Sequence, residues 1–550
     1  VGYGNDTIVD TDRSLSGATD KVSFGAGISL ADINVSRDGN NLVLTLDGTA
    51  DSLKIIEQHI RYSNGATPDQ IEEFHFSDGT IVDAEYWRAV DLQNQTTSGD
   101  DLVVGFTFDD TLAGGAGNDR LEGGGGSDIY WFNLGEGNDT IRESTITGVG
   151  INNSDDTVQF GAVLTVADLS LSRSGNDLVF NFASGETLVI ESQLSHKWLH
   201  TVEYFEFSDG TVWSDDQVRL DLLDSVSTSG DDHILGYSWT GDRLEGGLGN
   251  DRLEGSGGSD TYVFNLGDGN DVIRDAAITG LGISNSNDTI EFGAGLSIAD
   301  LTLSRSGNAA IFSFAGGDSV TIESQLAHEW LYTVEHFVFA DGTSWTSDDL
   351  KVNLLQHAST PGDDHILGYS WSDDTLGGGA GNDRLEGSGG SDTYIFNLGD
   401  GNDVVFDGAI TGVGISNSGD TVQFGVGLEI ADLLVRKDGD DLRFIFTSGD
   451  TITIEDTLRH SWLYRVEFYE FADGTVWTHD DAIAATLIPT DGNDIIEGYS
   501  TDDVMSGGLG DDILIGLSGS DTYSNAVGDG NLTIHDQDNS SATIDVLQTT

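Results

Sequence analysis

The chain has 550 residues, with 95 acidic side chains against 22 Lys plus Arg, a formal net charge of −73, no cysteine and 74 glycines. A hydrophobic share of 37% with 9% aromatics is too rich for an acidic disordered tail, so the chain folds, although such a charge drives a compact state apart unless cations or salt neutralise it. No apolar run nears the roughly 18 residues of a membrane span, nucleic acid and acidic membranes are poor partners for such a surface, and disulfides are excluded outright.

Two kinds of segment alternate along the chain. Residues 1–8, "VGYGNDTI", stand in the phase of "GEGNDTI" at Gly135. Residues 20–87 then alternate apolar and polar positions over short stretches. A glycine-aspartate block opens at Ser98, and alternating stretches return at 156–213, 288–345 and 420–477. The repeat is long: "SGDDHILGYSW" at Ser229 returns as "PGDDHILGYSW" at Pro361, 132 residues later, and "FSDGTVW" at Phe207 is matched by "FADGTSW" at Phe339 and "FADGTVW" at Phe471 at the same interval. Self-similarity at a fixed period marks a repeat architecture. The expected segments are 1–97, 98–228, 229–360, 361–490 and a terminal block 491–550, about four units of about 132 residues.

Within the blocks a finer period appears. Asp101, Asp110, Asp119 and Asp128 lie nine apart, and each is followed two residues later by an apolar residue, Val103, Leu112, Leu121 and Tyr130. Later blocks carry Asp232, Asp242, Asp251 and Asp260; Asp364, Asp374, Asp383 and Asp392; and Asp494, Asp503, Asp512 and Asp521. An eleven-residue step then leads to Asp139, Asp271 and Asp403, whereas the last block has Leu532 there. Three extended residues with one inward apolar side chain make a very short strand. Six residues of Gly-Gly-x-Gly-x-Asp type make a tight turn in which glycine supplies positive φ. Nine residues are half a coil and eighteen a full one, so Asp101 stacks on Asp119 and Asp110 on Asp128. Stacked carboxylates repel unless a cation lies between them. Oxygen-only donors in a flexible turn suit calcium, which takes six to eight oxygens, better than magnesium or zinc.

This pattern resembles the calcium-binding nonapeptide repeat Gly-Gly-x-Gly-x-Asp-x-U-x of the RTX (repeats-in-toxin) family. "GGLGNDRLE" at Gly246, "GGAGNDRLE" at Gly378 and "GGLGDDILI" at Gly507 carry the resemblance. It implies a parallel β-roll with calcium between stacked turns, and export through a type I secretion system. "FGAGLSIADLTLSRSGN" at Phe292 and "VEHFVFADGTSW" at Val334 resemble the haemolysin-type calcium-binding related domain. The expected fold class is all-β: parallel β-roll or β-solenoid blocks alternating with short-stranded β modules, in an elongated rod. The modules are expected to extend the solenoid or pack on its ends. "DLSLSRSGNDLVFNF" reads as a hairpin, and "QLSHKWLHTVE", with equivalents at Gln325 and Thr457, as a single helical turn.

Sharper chemistry is not favoured. His196, His328 and His460 recur at 132 residues, which suits a structural role in each module better than a repeated catalytic site. Gly-x-Ser-x-Gly elbows and phosphate-binding Gly-Lys-Ser/Thr loops are missing, so no catalytic activity is expected. Aromatic pairs such as Tyr237 and Trp239, or Tyr369 and Trp371, offer a glycan platform or, as the preferred reading, packing where module meets block. The expected function is a secreted, extracellular calcium-binding repeat region of a bacterial cell-surface or matrix protein, of adhesin or surface-layer type, that rigidifies on binding calcium. Its further partners would be a cell-surface glycan or copies of itself, with no nucleic acid and no direct membrane insertion. Two alternatives are the secretion and folding region of an RTX enzyme or toxin, and the protomer of an extracellular fibre or lattice. The opening in mid-motif and the decayed last copy lead us to expect a longer parent protein that continues before Val1.

Overall fold

The structure is a computed structural model that describes residues 4–10, 19–60, 70–143, 155–195, 201–275, 287–327, 333–408, 419–459, 465–537 and 545–549. Two compact units divide the chain, one of residues 1–263, the other of residues 264–275 and 287–550.

The nine-residue period sets the local structure in each unit. In the first, the strands Leu102–Val104, Thr111–Ala113, Arg120–Glu122 and Ile129–Phe132 follow one another with a turn between each pair. Alternate strands pair in parallel, with Leu121 opposite Val103 and Tyr130 opposite Leu112. Each three-residue strand buries its central side chain alone, because successive side chains point to opposite faces. Val103, Leu112, Leu121 and Tyr130 accordingly stack as a narrow buried core.

The modules continue these two sheets. Asp139–Arg142 pairs with Arg120–Glu122 on one side and Thr187–Ile190 on the other. Thr157–Phe160 likewise pairs with Ile129–Phe132 and with Tyr204–Glu206. Each sheet then ends in antiparallel strands: the hairpin Leu169–Ser174 with Asp177–Phe182, and the strand Val212–Ser214. The module cores are aromatic, with Phe160 stacked on Phe207 at 4.8 Å.

The second unit holds the same arrangement over residues 365–478, from His365–Leu367 paired with Arg384–Glu386 to the closing strand Val476–Thr478. Its terminal block keeps the parallel pairing, with Met505 opposite Tyr523 and Tyr523 opposite Leu547. All four residues of the strand Val546–Thr549 are exposed.

The helices differ from expectation. An α-helix follows every module: Ala84–Gln95, Asp215–Val226, Ser347–Ala358 and His479–Thr486. The cause is local. Ser214, Thr346 and Thr478 each accept the backbone N–H three residues on, an N-cap, and aspartates fill the first turn, where the helix dipole favours them. Val218, Leu222 and Leu223 bury one face of the second helix. The segment expected to form a helical turn includes residues 196–200, which, like His328 and His460, lie outside the described residues.

Candidate metal centres

The glycine turns fold each aspartate back towards its own coil. In the turn 114–119, Gly115 and Gly117 have φ of +85° and +146°, values a side chain would strain. Gly114 matters for another reason: a Cβ there would collide with the carboxylate of Asp119, and one on Gly387 would meet the carboxylate of Asp392 and the Tyr394 hydroxyl.

Turned in this way, the aspartates form ladders. On one edge of the first unit the Asp101 N–H donates to Asp119 Oδ1 at 2.8 Å, and the Asp119 N–H to Asp139 Oδ1 at 3.0 Å. On the other edge Asp110 donates to Asp128 at 2.8 Å, and Asp128 to Asp156 at 2.7 Å. Asp156 donates in turn to Glu203 Oε2 at 2.7 Å. The second unit repeats both ladders, Asp364 to Asp383 to Asp403, and Asp374 to Asp392 to Asp420 to Glu467. Further rungs join Asp232 to Asp251, Asp242 to Asp260 and Asp494 to Asp512, and Asp503 leads through Asp521 to Asp545. Asp271 is buried in the strand Asn270–Arg274.

Most of the predicted aspartates fall into two groups. In the first coil of a block the second oxygen is already occupied. Asp101 Oδ2 accepts the N–H of Thr97, Asp364 Oδ2 that of Thr360, and Asp494 Oδ2 that of Thr490. Asp110, Asp242, Asp374 and Asp503 do the same for Phe106, Tyr237, Tyr369 and Tyr499. Farther in, the second oxygen of Asp119, Asp128, Asp383, Asp392, Asp403 and Asp521 is buried without any hydrogen-bond partner. Asp420, outside the predicted set, shares this condition. Burying an unpartnered carboxylate oxygen is costly.

The electrostatics carry the same strain. Burial, with Asp156 and Asp110 close by, pushes the Asp128 carboxyl up to about 8. Burial pushes Asp392 and Asp403 up to about 7, with neighbouring carboxylates adding to it, and Asp139 to about 6. A hard cation among these oxygens would favour the charged forms and partner the bare atoms. The donors are carboxylates beside turn carbonyls, with no cysteine anywhere in the chain, a set that fits calcium rather than zinc.

The nine-residue count missed Asp156, Asp420, Glu203 and Glu467. They stand 28 or 47 residues from the rung before them, so no fixed period reveals them. Their signal is a different one, the acid that opens each "DTVQF" strand and the Val-Glu of "VEYFEF" and "VEFYEF". The aromatic pairs are packing elements for the most part. Tyr237 and Tyr369 are buried, beneath the guanidinium groups of Arg173 and Arg305 respectively, while Trp371 is half exposed.

Two family models match the blocks and the modules in turn. Residues 95–130, 104–141, 237–273, 369–405 and 489–523 match the RTX calcium-binding nonapeptide repeat. Residues 41–86, 177–217, 311–349 and 444–481 match the haemolysin-type calcium binding protein related domain. A stretch of 105 residues is 29% identical to the iron-regulated protein FrpA of Neisseria meningitidis serogroup C, covering 19% of this chain and 9% of that protein's length. The extracellular lipase LipA of Serratia marcescens is similar at 17% identity over 41% of this chain and 36% of its own, with a TM-score of 0.13.

Proposed function

We propose that this chain, an array of RTX calcium-binding nonapeptide repeats and haemolysin-type calcium-binding related domains, is the calcium-triggered structural region of a bacterial surface or extracellular-matrix protein of adhesin or surface-layer type. Repeats of this family bind calcium and belong to secreted proteins. The observation that supports the reading is the set of buried, unpartnered aspartate oxygens stacked from coil to coil. The ligands would be Asp119, Asp128, Asp139, Asp251, Asp260, Asp271, Asp383, Asp392, Asp403, Asp512 and Asp521, with the first-coil aspartates holding the turns in shape. Such ligands assemble only when coils stack, so binding free energy is folding free energy. Extracellular calcium modules bind at about 10⁻⁴ to 10⁻³ M. The chain would stay open at cytosolic calcium and order outside the cell, as a non-catalytic spacer of about 132-residue steps that presents itself to glycans or to its own copies.

A second reading is that the array folds and exports a longer protein whose activity lies elsewhere. It is favoured by the FrpA match, where the likeness takes in 9% of the relative's length. Far-ultraviolet circular dichroism, titrated with calcium and separately with magnesium, tests the common core of both readings. A cooperative gain of β signal with calcium alone is expected. A chain already folded in chelator would refute the coupling, and concentration-dependent polymers in electron micrographs would favour the structural role.

A further inference from the structure

The closing coil of a block departs from the coils beneath it at one position. Four residues after Asp119 and Asp383 stand Gly123 and Gly387, each the first glycine of a turn. Four residues after Asp139 and Asp403 stand Glu143 and Asp407, and in the terminal block Asp536, four residues after Leu532, lies opposite Leu517 across a register shift. An acid thus replaces the glycine that, in other turns, leaves room for a carboxylate.

In two of these places the acid is buried. Glu143 and Asp407 are each 6% exposed. Glu143 meets Asp128 of the coil below and Asp156, just before the strand Thr157–Phe160, and Asp407 meets Asp392 and Asp420 in the same way. One oxygen from each of the three carboxylates lies within 4.8 Å of the others, and Asp521, Asp536 and Asp545 form a third such group in a more open setting. A tyrosine closes each buried cluster: the Tyr130 hydroxyl donates to Glu143, and the Tyr394 hydroxyl to Asp407 Oδ1 at 3.0 Å. Atoms with nothing to bind point to a ligand. Oδ2 of Asp128, Asp392 and Asp420 has no partner, although these residues are no more than 1% exposed. In the third group both Asp521 Oδ2 and the buried Tyr523 hydroxyl are without one.

We infer that each of these clusters binds a further calcium ion beside the ions between glycine turns, sharing the last repeat aspartate with them and completed by the acid at the closing position and the acid just before the next strand. This rests on the calcium reading above and adds a different kind of site to it. Three carboxylates this close repel one another strongly without a counter-ion, and the low local dielectric magnifies the repulsion. Calcium tolerates the irregular oxygen geometry that three unevenly spaced side chains impose. Within the second unit the ligands come from residues 392, 407 and 420, so they converge only when block and module are stacked in register. The ion would therefore join repeat block to module, where the turn ions join coil to coil.

The test uses the full chain crystallised in calcium, with anomalous difference maps, and metal counting on the wild type and on Asp407→Asn. The expected result is an anomalous peak at about 2.3–2.6 Å from the carboxylates of Asp392, Asp407 and Asp420, and loss of one ion per chain in the variant with the turn ions retained. Turn peaks without a cluster peak would overturn the inference and leave carboxyl groups sharing protons in its place. An unchanged ion count in the variant would overturn it as well. Absence of calcium throughout would sink the broader reading too. The wild-type map decides the matter even if the variant fails to fold.

Discussion

The backbone N–H of Asp392 donates to Oδ1 of Asp420, 28 residues ahead, at 2.8 Å, and Oδ2 of both carboxylates is buried with no partner. One oxygen of each side chain is spent on holding coils together, and the other is left bare. That division of labour makes the aspartates separable by experiment.

Inner and first-coil aspartates should respond differently to loss of charge. Asp383→Asn keeps an oxygen for the Asp364 N–H but loses a charged ligand. Its calcium midpoint for folding should rise about tenfold, about 1.4 kcal/mol. Asp364→Asn should shift it less, by about threefold or under, about 0.7 kcal/mol, because Thr360 already occupies the second oxygen. Calcium titrations followed by circular dichroism check this. Equal shifts would mean that first-coil aspartates are ligands of equal weight.

Acid should substitute in part for calcium. The folded carboxyls lie high, at about 8 for Asp128, 7 for Asp392 and Asp403, and 9 for Asp407, with burial the leading cause in each. Unfolded aspartate titrates near 3.9. Between these values the folded chain binds more protons, so stability falls as pH rises. The contribution is fully present below about pH 4 and is lost as pH climbs through about 7 to 9. In chelator, β signal should therefore be greater at pH 5 than at pH 8, and the gain of signal on adding calcium should be larger at pH 8. No difference in chelated signal between the two would contradict the assignment.

The first glycine of a turn should be less replaceable than an exposed loop glycine. Gly387→Ala drives a methyl group into the Asp392 carboxylate and the Tyr394 hydroxyl, and should cost about 3 kcal/mol, the upper range for overpacking. Gly399→Ala, at φ +93° with open space around it, should cost about 1 kcal/mol of backbone strain. Thermal unfolding in saturating calcium measures both, and a larger loss at Gly399 would reverse the argument.

The terminal block holds a strained leucine. Leu517 adopts φ +69° in the second turn position, beside a register shift between Ile515 and Leu517. Leu517→Gly should raise stability by up to about 1 kcal/mol, as relief of left-handed strain outweighs the added freedom of the unfolded chain. A lower melting temperature for the variant would show that the leucine side chain contributes more packing than its backbone loses.

Much of this molecule is written within nine residues. The interval from Asp101 to Asp128, with Val103, Leu112, Leu121 and Tyr130 two places behind each aspartate, determines strand, turn and inward face, because each depends on neighbouring positions alone. The helix Asp215–Val226 is also local, marked by Ser214 and the acids after it. The tertiary structure decided three things that no local window contains. It set Asp156 and Glu203 as the next rungs above Asp128, since sheet register, and no period, fixes which residue lies above which. It distinguished aspartates whose second oxygen is filled from those whose oxygen is bare, since that depends on the turn beneath. And it brought Glu143 and Asp407 into carboxylate clusters, since an acid in place of a glycine acquires meaning only from what the stacked coil puts beside it.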